Sequence, residues 1–162
     1  MPPYDVRSVA NFVLSRASGS GQIVTNLSLN KIVYFLHQAF LTKFGSPLVS
    51  AKIEAWKHGP VFREIYHQFK AFDRSPIGSR ARRLDVRTGK YVDCPIEIEY
   101  DHEFFLRPIC DELLRIPAGK LVDMSHVVDG PWHQIWHGHP INPGMKISDD
   151  LILKHASEQS RH

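Results

Sequence analysis

The sequence predicts a mainly α fold, a compact helical bundle around a central apolar helix at about residues 28–44, with a small β-hairpin insertion at about residues 80–98. The central segment carries the strongest helical apolar stripe, and weaker stripes flank it on both sides. Between residues 73 and 92 the helical period is lost, and apolar and charged residues alternate as in strands. With 162 residues, 43% hydrophobic and 23% charged, the chain fits a single domain over residues 1–162.

The first predicted helix covers residues 5–17. Asp5 is a suitable N-cap, because its carboxylate can accept a hydrogen bond from a free backbone N–H group of the first turn. The apolar residues recur at spacings of three and four, namely Val6, Val9, Ala10, Val13 and Ala17. The serine and glycine residues at 18–21 then predict a break.

The central helix is predicted from an apolar stripe that runs the length of its segment. Ser28 is a suitable N-cap before the stripe, and Gly45 is a suitable stop after it. The stripe consists of Leu29, Ile32, Val33, Leu36, Phe40 and Phe44. Because further apolar residues lie off the stripe, we expect neighbouring elements to cover this helix on several sides.

A glycine–proline pair follows the central helix. Residues 51–56 are short enough to form either a helical turn or a strand. Pro60 suits the first position of a new helix, because it lacks a backbone N–H group. We therefore interpret Gly59 and Pro60 as fold-determining residues that precede a helix. The buried face of that helix is expected to hold Val61, Ile65 and Phe69.

A basic insertion is expected at about residues 73–98. Between Asp73 and Lys90 six basic residues stand against two acidic ones, a local charge of +4 in a chain whose net charge is +3. The insertion is open to three interpretations, in order of preference a solvated loop, a contact surface for an acidic protein, and a nucleic-acid contact. Nucleic acid is the least favoured, because only Tyr91 could stack on bases near the arginines.

Two helices are predicted after the insertion. Asp101 can cap a helix that extends to about residue 115, and Pro108 must kink or interrupt it. A shorter helix is expected at residues 121–128.

Two more helices are predicted near the C-terminus. Gly130 and Pro131 repeat the glycine–proline pattern at the start of a helix, so we interpret them as fold-determining as well. Ser148 opens the last helix, where Asp149 and Asp150 favour the positive end of the helix dipole.

The sequence predicts a cytoplasmic protein without membrane contact. The longest purely apolar run, residues 32–36, falls far short of the roughly 20 residues that a spanning helix needs. The first ten residues contain two prolines and an acid, unlike a secretory signal. Cys94 and Cys110 form no CxxC pair and indicate no disulfide framework.

Three sequence blocks resemble a known family signature. The first contains L-N-K-I-V-Y-F from Leu29 and, some twenty residues later, I-E-A-W-K-H-G-P-V from Ile53. The second contains L-V-D-M-S-H from Leu121 and D-G-P-W ending at Trp132, and the third is I-S-D-D from Ile147. They resemble the Panacea domain, also described as the SocA-like antitoxin or phage-associated GepA-like family. The resemblance spans about residues 5–155.

The resemblance implies an antitoxin of a bacterial or phage toxin–antitoxin system, with a prophage as one setting. Such a protein neutralises a cognate protein toxin by direct contact, without enzymatic activity and without a cofactor. At least one family member delivers its toxin to an ATP-dependent protease, so an adaptor function is a further expectation. Self-association into a homo-oligomer stays open.

Candidate partner-binding residues come from the motif blocks and from the basic insertion. They are Lys31, Tyr34, Glu54, Trp56, His58, Arg80, Arg82, Arg83, Arg87, His126 and Trp132. Tryptophan and arginine are enriched at binding hot spots. Lys31 lies on a very apolar helix, so it either reaches the surface or pairs with an acid, and Glu54 is the acid that we expect.

Two alternative functions involve other side chains. His133 and His137 are four residues apart, which places both imidazoles on one helix face as in zinc sites, and His126 would be a third ligand of a metal-dependent hydrolase. The segment between the pair lacks the glutamate of an HExxH metalloprotease, so no metal is expected. The third function is a DNA-binding autoregulator that acts through the arginine-rich segment.

Overall fold

The computed structural model describes residues 1–138 and 143–160. Within these residues the helices are α1 (Val6–Ser20), α2 (Asn26–Phe44), α3 (Arg63–Phe69), α4 (Tyr100–Leu114), α5 (Ala118–Ser125), α6 (Pro131–Trp136) and α7 (Asp149–Ser160). The strands are β1 (Ile53–Trp56), β2 (Gly59–Phe62), β3 (Arg82–Asp85) and β4 (Lys90–Asp93), which form two separate antiparallel hairpins. The mainly α fold with a hairpin insertion is therefore confirmed. No helix of the described residues is both long and apolar enough to cross a membrane.

Helix α2 is the centre of the molecule, as predicted. It packs against α1, α3, α4, α5, α7 and β2, and its apolar side chains are buried along most of its length. The predicted N-cap at Ser28 was wrong, because Thr25 caps the helix earlier in the chain. Ser28 N donates to Thr25 Oγ1 at 3.2 Å and Thr25 N donates to Ser28 Oγ at 2.9 Å, a reciprocal capping box. Gly45 ends the helix with φ at 71°, as predicted.

Helix α1 begins where the sequence predicts and ends later. Asp5 caps it by accepting a hydrogen bond from Arg7 N at 2.9 Å. The helix continues through Ser18 and Gly19 to Ser20, where the Ser20 hydroxyl donates to the carbonyl of Arg16. Gly21, with φ at 69°, supplies the break.

The segment around Pro60 forms a hairpin, so the predicted helix start at this residue was wrong. Strand β1 pairs with β2 in a register that joins Ala55 to Pro60, and α3 begins only at Arg63. Side chains of α2 bind the second strand, since Phe62 N donates to Asn30 Oδ1 at 2.9 Å. These tertiary hydrogen bonds outweigh the local preference of proline for a helical first turn.

The predicted hairpin in the basic insertion is confirmed, although β4 ends at Asp93, short of the expected boundary near residue 98. Pro95 follows β4 and cannot donate a strand hydrogen bond. The base of the hairpin is fixed to α1, because the Asn11 side chain donates to the carbonyls of Ala81 and Cys94 and accepts from Ala81 N.

The elements after the insertion follow the prediction with two corrections. Helix α4 begins at Tyr100 and continues through Pro108, and Asp101 lies in its first turn rather than at the cap. Helix α5 covers Ala118–Ser125 instead of the predicted residues 121–128. Pro131 is the first residue of α6, and Ser148 Oγ accepts from Leu151 N at the start of α7, both as predicted.

Candidate functional site

The two main motif blocks, distant in sequence, are in direct contact. Trp132 Nε1 on α6 donates to the carbonyl of Trp56 at the end of β1, at 2.7 Å. The Trp132 ring is 5% exposed and stacks on His126, with ring centroids 3.7 Å apart and planes within 9°. The second block therefore packs against the first, so the two blocks that resemble the family signature form one structural unit.

At Gly59, strand β2 lies close to side chains of helices α2 and α5. Its φ is 114°, a conformation that side-chain-bearing residues rarely adopt. A Cβ atom at this position would lie 2.6 Å from Lys31 Cε and 2.6 Å from Ser125 Oγ. The glycine therefore allows α2 and α5 to meet at the β1–β2 hairpin.

Lys31 is fully buried at this junction. Its side chain is 0% exposed, and Nζ donates to the carbonyl of Pro60 at 2.8 Å. Burial lowers the pKa of Lys31 to about 7, because a low-dielectric environment disfavours the ammonium form. The expected ion pair with Glu54 is not present. Within the described residues Lys31 has no carboxylate within 4 Å, and Glu54 lies beside Arg63 at 3.3 Å instead.

The buried amine gives a prediction for the pH dependence of stability. The pKa of Lys31 falls from 10.5 in the unfolded chain to about 7 in the folded protein, so the unfolded chain binds more protons at this site between these values. The free energy of unfolding should therefore rise with pH from about 7 to 10.5, approaching a factor of about ten in the folding equilibrium per pH unit. Below pH 7 Lys31 is protonated in both states, and the folded protein bears the full cost of burying the ammonium group.

Urea unfolding of the wild type and of Lys31→Met across pH 6–10 checks this prediction. All other titratable groups are common to both proteins, so the difference between the two curves isolates Lys31. The free energy of unfolding of the variant, relative to that of the wild type, should be higher at pH 6 than at pH 10. If the free energies of unfolding of the two proteins changed in parallel with pH, the pKa of Lys31 would not be lowered by burial.

A cavity of about 340 Å³ lies between α2, the β1–β2 hairpin and α3. Its lining consists of Asn26, Leu27, Asn30, Lys31, Trp56, Lys57, His58, Val61, Tyr66, Lys70 and Asp73. Asn26 and Asn30 help to hold the walls of the cavity together. Asn26 Nδ2 donates to the carbonyl of Tyr66, and Asn30 Nδ2 donates to Asn26 Oδ1. Neither asparagine was predicted as a site residue, although two amide side chains four residues apart on an apolar helix are a signal that the sequence contains.

The other motif residues have defined surroundings. Tyr34 is buried, and burial raises its pKa. Glu54 is buried as well, where its Oε1 accepts from Trp56 Nε1 at 3.0 Å. Trp56 is half-buried against Tyr66, and His58 is exposed in the turn of the hairpin.

The histidines proposed for a metal site do not converge on one point. His126 Nε2 is buried and has no hydrogen-bond partner among the residues that the structure describes, and the pKa of His126 is lowered by burial and by the neighbouring Lys31. His133 Nδ1 accepts from Asp129 N at 3.3 Å, and the His133 and His137 rings are 4.7 Å apart. In the part of the chain that the structure describes, no group of three histidine, cysteine or acidic residues could hold a metal ion.

The arginines of the basic hairpin all have polar partners. Arg80 donates to Ser18 Oγ at 2.9 Å, and the other three lie within 4.0 Å of carboxylates. These pairs are Arg82 with Asp93, Arg83 with Glu97, and Arg87 with Asp85. Helix α3 links the hairpin to the cavity, because Gln68 bonds to the backbone of Arg82 while Tyr66 contacts Trp56.

Comparison with known proteins identifies what this chain resembles. A family model described as Antitoxin SocA-like, Panacea domain, matches residues 29–133. Antitoxin SocA of Caulobacter vibrioides (strain NA1000 / CB15N) is 35% identical over 150 residues, which cover 91% of this chain and 80% of that protein. No solved structure matches. The region matched by the family model contains most of α2, most of the residues that line the cavity, and Trp132.

Proposed function

Because the chain belongs to the SocA-like Panacea antitoxin family, we propose that it neutralises a cognate protein toxin by direct binding. The family consists of antitoxins, so the protein is a regulator rather than an enzyme. The observation that carries the proposal is the junction of the two main motif blocks at Trp56 and Trp132. This junction lies beside the cavity and next to exposed side chains, an arrangement that suits recognition of a protein partner.

Exposed and half-buried side chains lie in and next to the two motif blocks that meet at this junction. We call them the motif face, and they are Trp56, Lys57, His58, Val128 and Trp136. Val128 is 71% exposed and Trp136 is 39% exposed, and Trp136 stacks on Trp132. Exposed apolar and aromatic side chains grouped in this way are typical of protein contact sites.

The candidate residues divide into two roles under this proposal. Lys31, Tyr34, Glu54 and Trp132 are buried and support the motif face from below. Direct contacts are left to the exposed and half-buried side chains, and His126 holds Trp132 in place. The arginines of the basic hairpin attract an acidic toxin surface and speed the encounter, an effect that salt weakens.

Co-expression with the adjacent reading frame tests the proposed function. A neighbour that stops growth when it is expressed alone should become harmless in the presence of this protein. No rescue of growth by the co-expressed protein would overturn the proposal. Toxin abundance separates two modes of action, since occlusion leaves the toxin intact whereas delivery to an ATP-dependent protease shortens its lifetime. Size-exclusion chromatography with light scattering settles self-association, and cell fractionation tests the cytoplasmic location.

Replacing Val128 with aspartate is expected to abolish rescue. The side chain is 71% exposed, so the change costs little stability, but it buries an unpaired charge when a partner covers the motif face. Ile23→Asp is a matched control, because Ile23 is 72% exposed and lies between α1 and α2, in neither motif block. Growth measured at equal expression should be lost with the first variant and kept with the second. Equal rescue by both would place the toxin elsewhere.

A further inference from the structure

The position of Lys31 suggests which chemistry the partner presents. A buried ammonium group is stable only when opposite charge and hydrogen bonds compensate its loss of water. Among the described residues Lys31 has one hydrogen-bond acceptor, the carbonyl of Pro60, and no acid within 4 Å. Within the described residues the folded protein therefore buries an amine that lacks a counter-charge and that, with a pKa of about 7, is about half protonated at neutral pH.

Lys31 belongs to the lining of the cavity, but its side chain is 0% exposed, so its charge acts on a bound group from beneath the surface. The rest of the lining matches an acidic segment. Trp56, Tyr66 and Val61 provide apolar and aromatic surface, and Lys57 and Lys70 add two exposed cations. Among the described residues that line the cavity, Asp73 is the single acid. A volume of about 340 Å³ suits a side chain or two of a peptide.

We propose that this cavity receives an acidic side chain, carried on an apolar segment of the toxin, and that Lys31 supplies its counter-charge. The inference rests on the proposed function, since it names the chemistry that the antitoxin recognises. A carboxylate is favoured over a phosphate of nucleic acid, because the cationic groups surround an apolar cavity instead of following an open groove. His126, which has no hydrogen-bond partner at its buried Nε2 among the described residues, lies near Lys31 but is not part of the cavity lining.

The test uses small probes and the isolated protein, so it does not depend on knowing the toxin. The probes are 3-phenylpropionate, its uncharged analogue 3-phenylpropionamide, and phenyl phosphate. Binding is followed by the NMR shifts of the indole N–H groups of Trp56 and Trp132. The carboxylate should bind at least tenfold more tightly than the amide and more tightly than the phosphate.

Two variants and one direct measurement complete the design. Lys31→Met should reduce the preference for the carboxylate to less than twofold, whereas Lys90→Met, which removes the same charge from the exposed hairpin, should leave it unchanged. If Lys31→Met fails to fold, the ¹³Cε resonance of Lys31 in the wild type gives the answer, because the carboxylate should shift its titration to higher pH and the amide should not.

Several outcomes would overturn the inference. Equal affinity for carboxylate and amide, preference for the phosphate, no binding at millimolar concentration, or an unchanged Lys31 titration would each do so. Growth rescue by co-expression is a separate measurement. Rescue without carboxylate binding would leave the antitoxin function in place and remove only this cavity as the acidic-residue site.

Discussion

Replacing Gly59 with alanine should lower the free energy of unfolding by about 3 kcal/mol or more, because two penalties add at this residue. The first is backbone strain, since the φ of 114° is open to glycine and rarely to residues with a Cβ atom. The second is steric, since the new atom would lie 2.6 Å from both Lys31 Cε and Ser125 Oγ. Urea unfolding followed by tryptophan fluorescence measures the loss.

Gly89→Ala is the matched control for this prediction. Gly89 also has a positive φ, 71°, but no atom of the described part of the chain lies within 4 Å of the position that its Cβ atom would take. Only the backbone penalty remains, so we expect a loss of about 1 kcal/mol. Equal losses for the two variants would mean that the close approach of α2 and α5 to the hairpin is not an energetic feature of the fold.

Trp132→Ala should have an effect of similar size, about 3–5 kcal/mol, for a different reason. The substitution removes a side chain that is 5% exposed, its hydrogen bond to the Trp56 carbonyl, and its stack on His126. We therefore expect loss of rescue together with loss of stability. Thermal unfolding and growth rescue, measured on the same variant, check both effects.

Trp136→Ala is the control for this prediction, because it removes a side chain of the same size from a more exposed position on the same helix. Trp136 is also a tryptophan of α6, but it is 39% exposed, so its removal should cost about 1 kcal/mol or less. Because Trp136 belongs to the motif face, rescue should weaken even though the protein remains folded. A large stability loss at Trp136, or a small one at Trp132, would contradict the assigned roles.

The helices could be predicted because their determinants are local. The apolar stripe of α2, the stop at Gly45 and the cap at Asp5 all lie within a few residues of the boundaries that they set. The β1–β2 hairpin could not be predicted in the same way. Its hydrogen bonds include those of Asn30 to Phe62 and of Lys31 to Pro60, which join residues about thirty positions apart.

The sequence indicated candidate residues for the site but not their burial or their hydrogen-bond partners. The motif blocks indicated Lys31, Trp56 and Trp132 as candidate partner-binding residues, and in the structure Trp132 donates a hydrogen bond to the carbonyl of Trp56. Which of these side chains is buried depends on the packing of α5 and α6, and no local pattern encodes it. The ion pair between Lys31 and Glu54 was wrong for this reason, since Glu54 lies beside Arg63 and Lys31 bonds to backbone.

The most direct test of the central claim is the affinity of the purified protein for the purified toxin, measured by isothermal titration calorimetry. The wild type and Ile23→Asp should bind with the same affinity, and Val128→Asp should bind at least about 100-fold more weakly, because an unpaired charge would be buried on the motif face. Absence of binding by the wild type, or equal affinity of all three proteins, would contradict neutralisation by direct contact through this face.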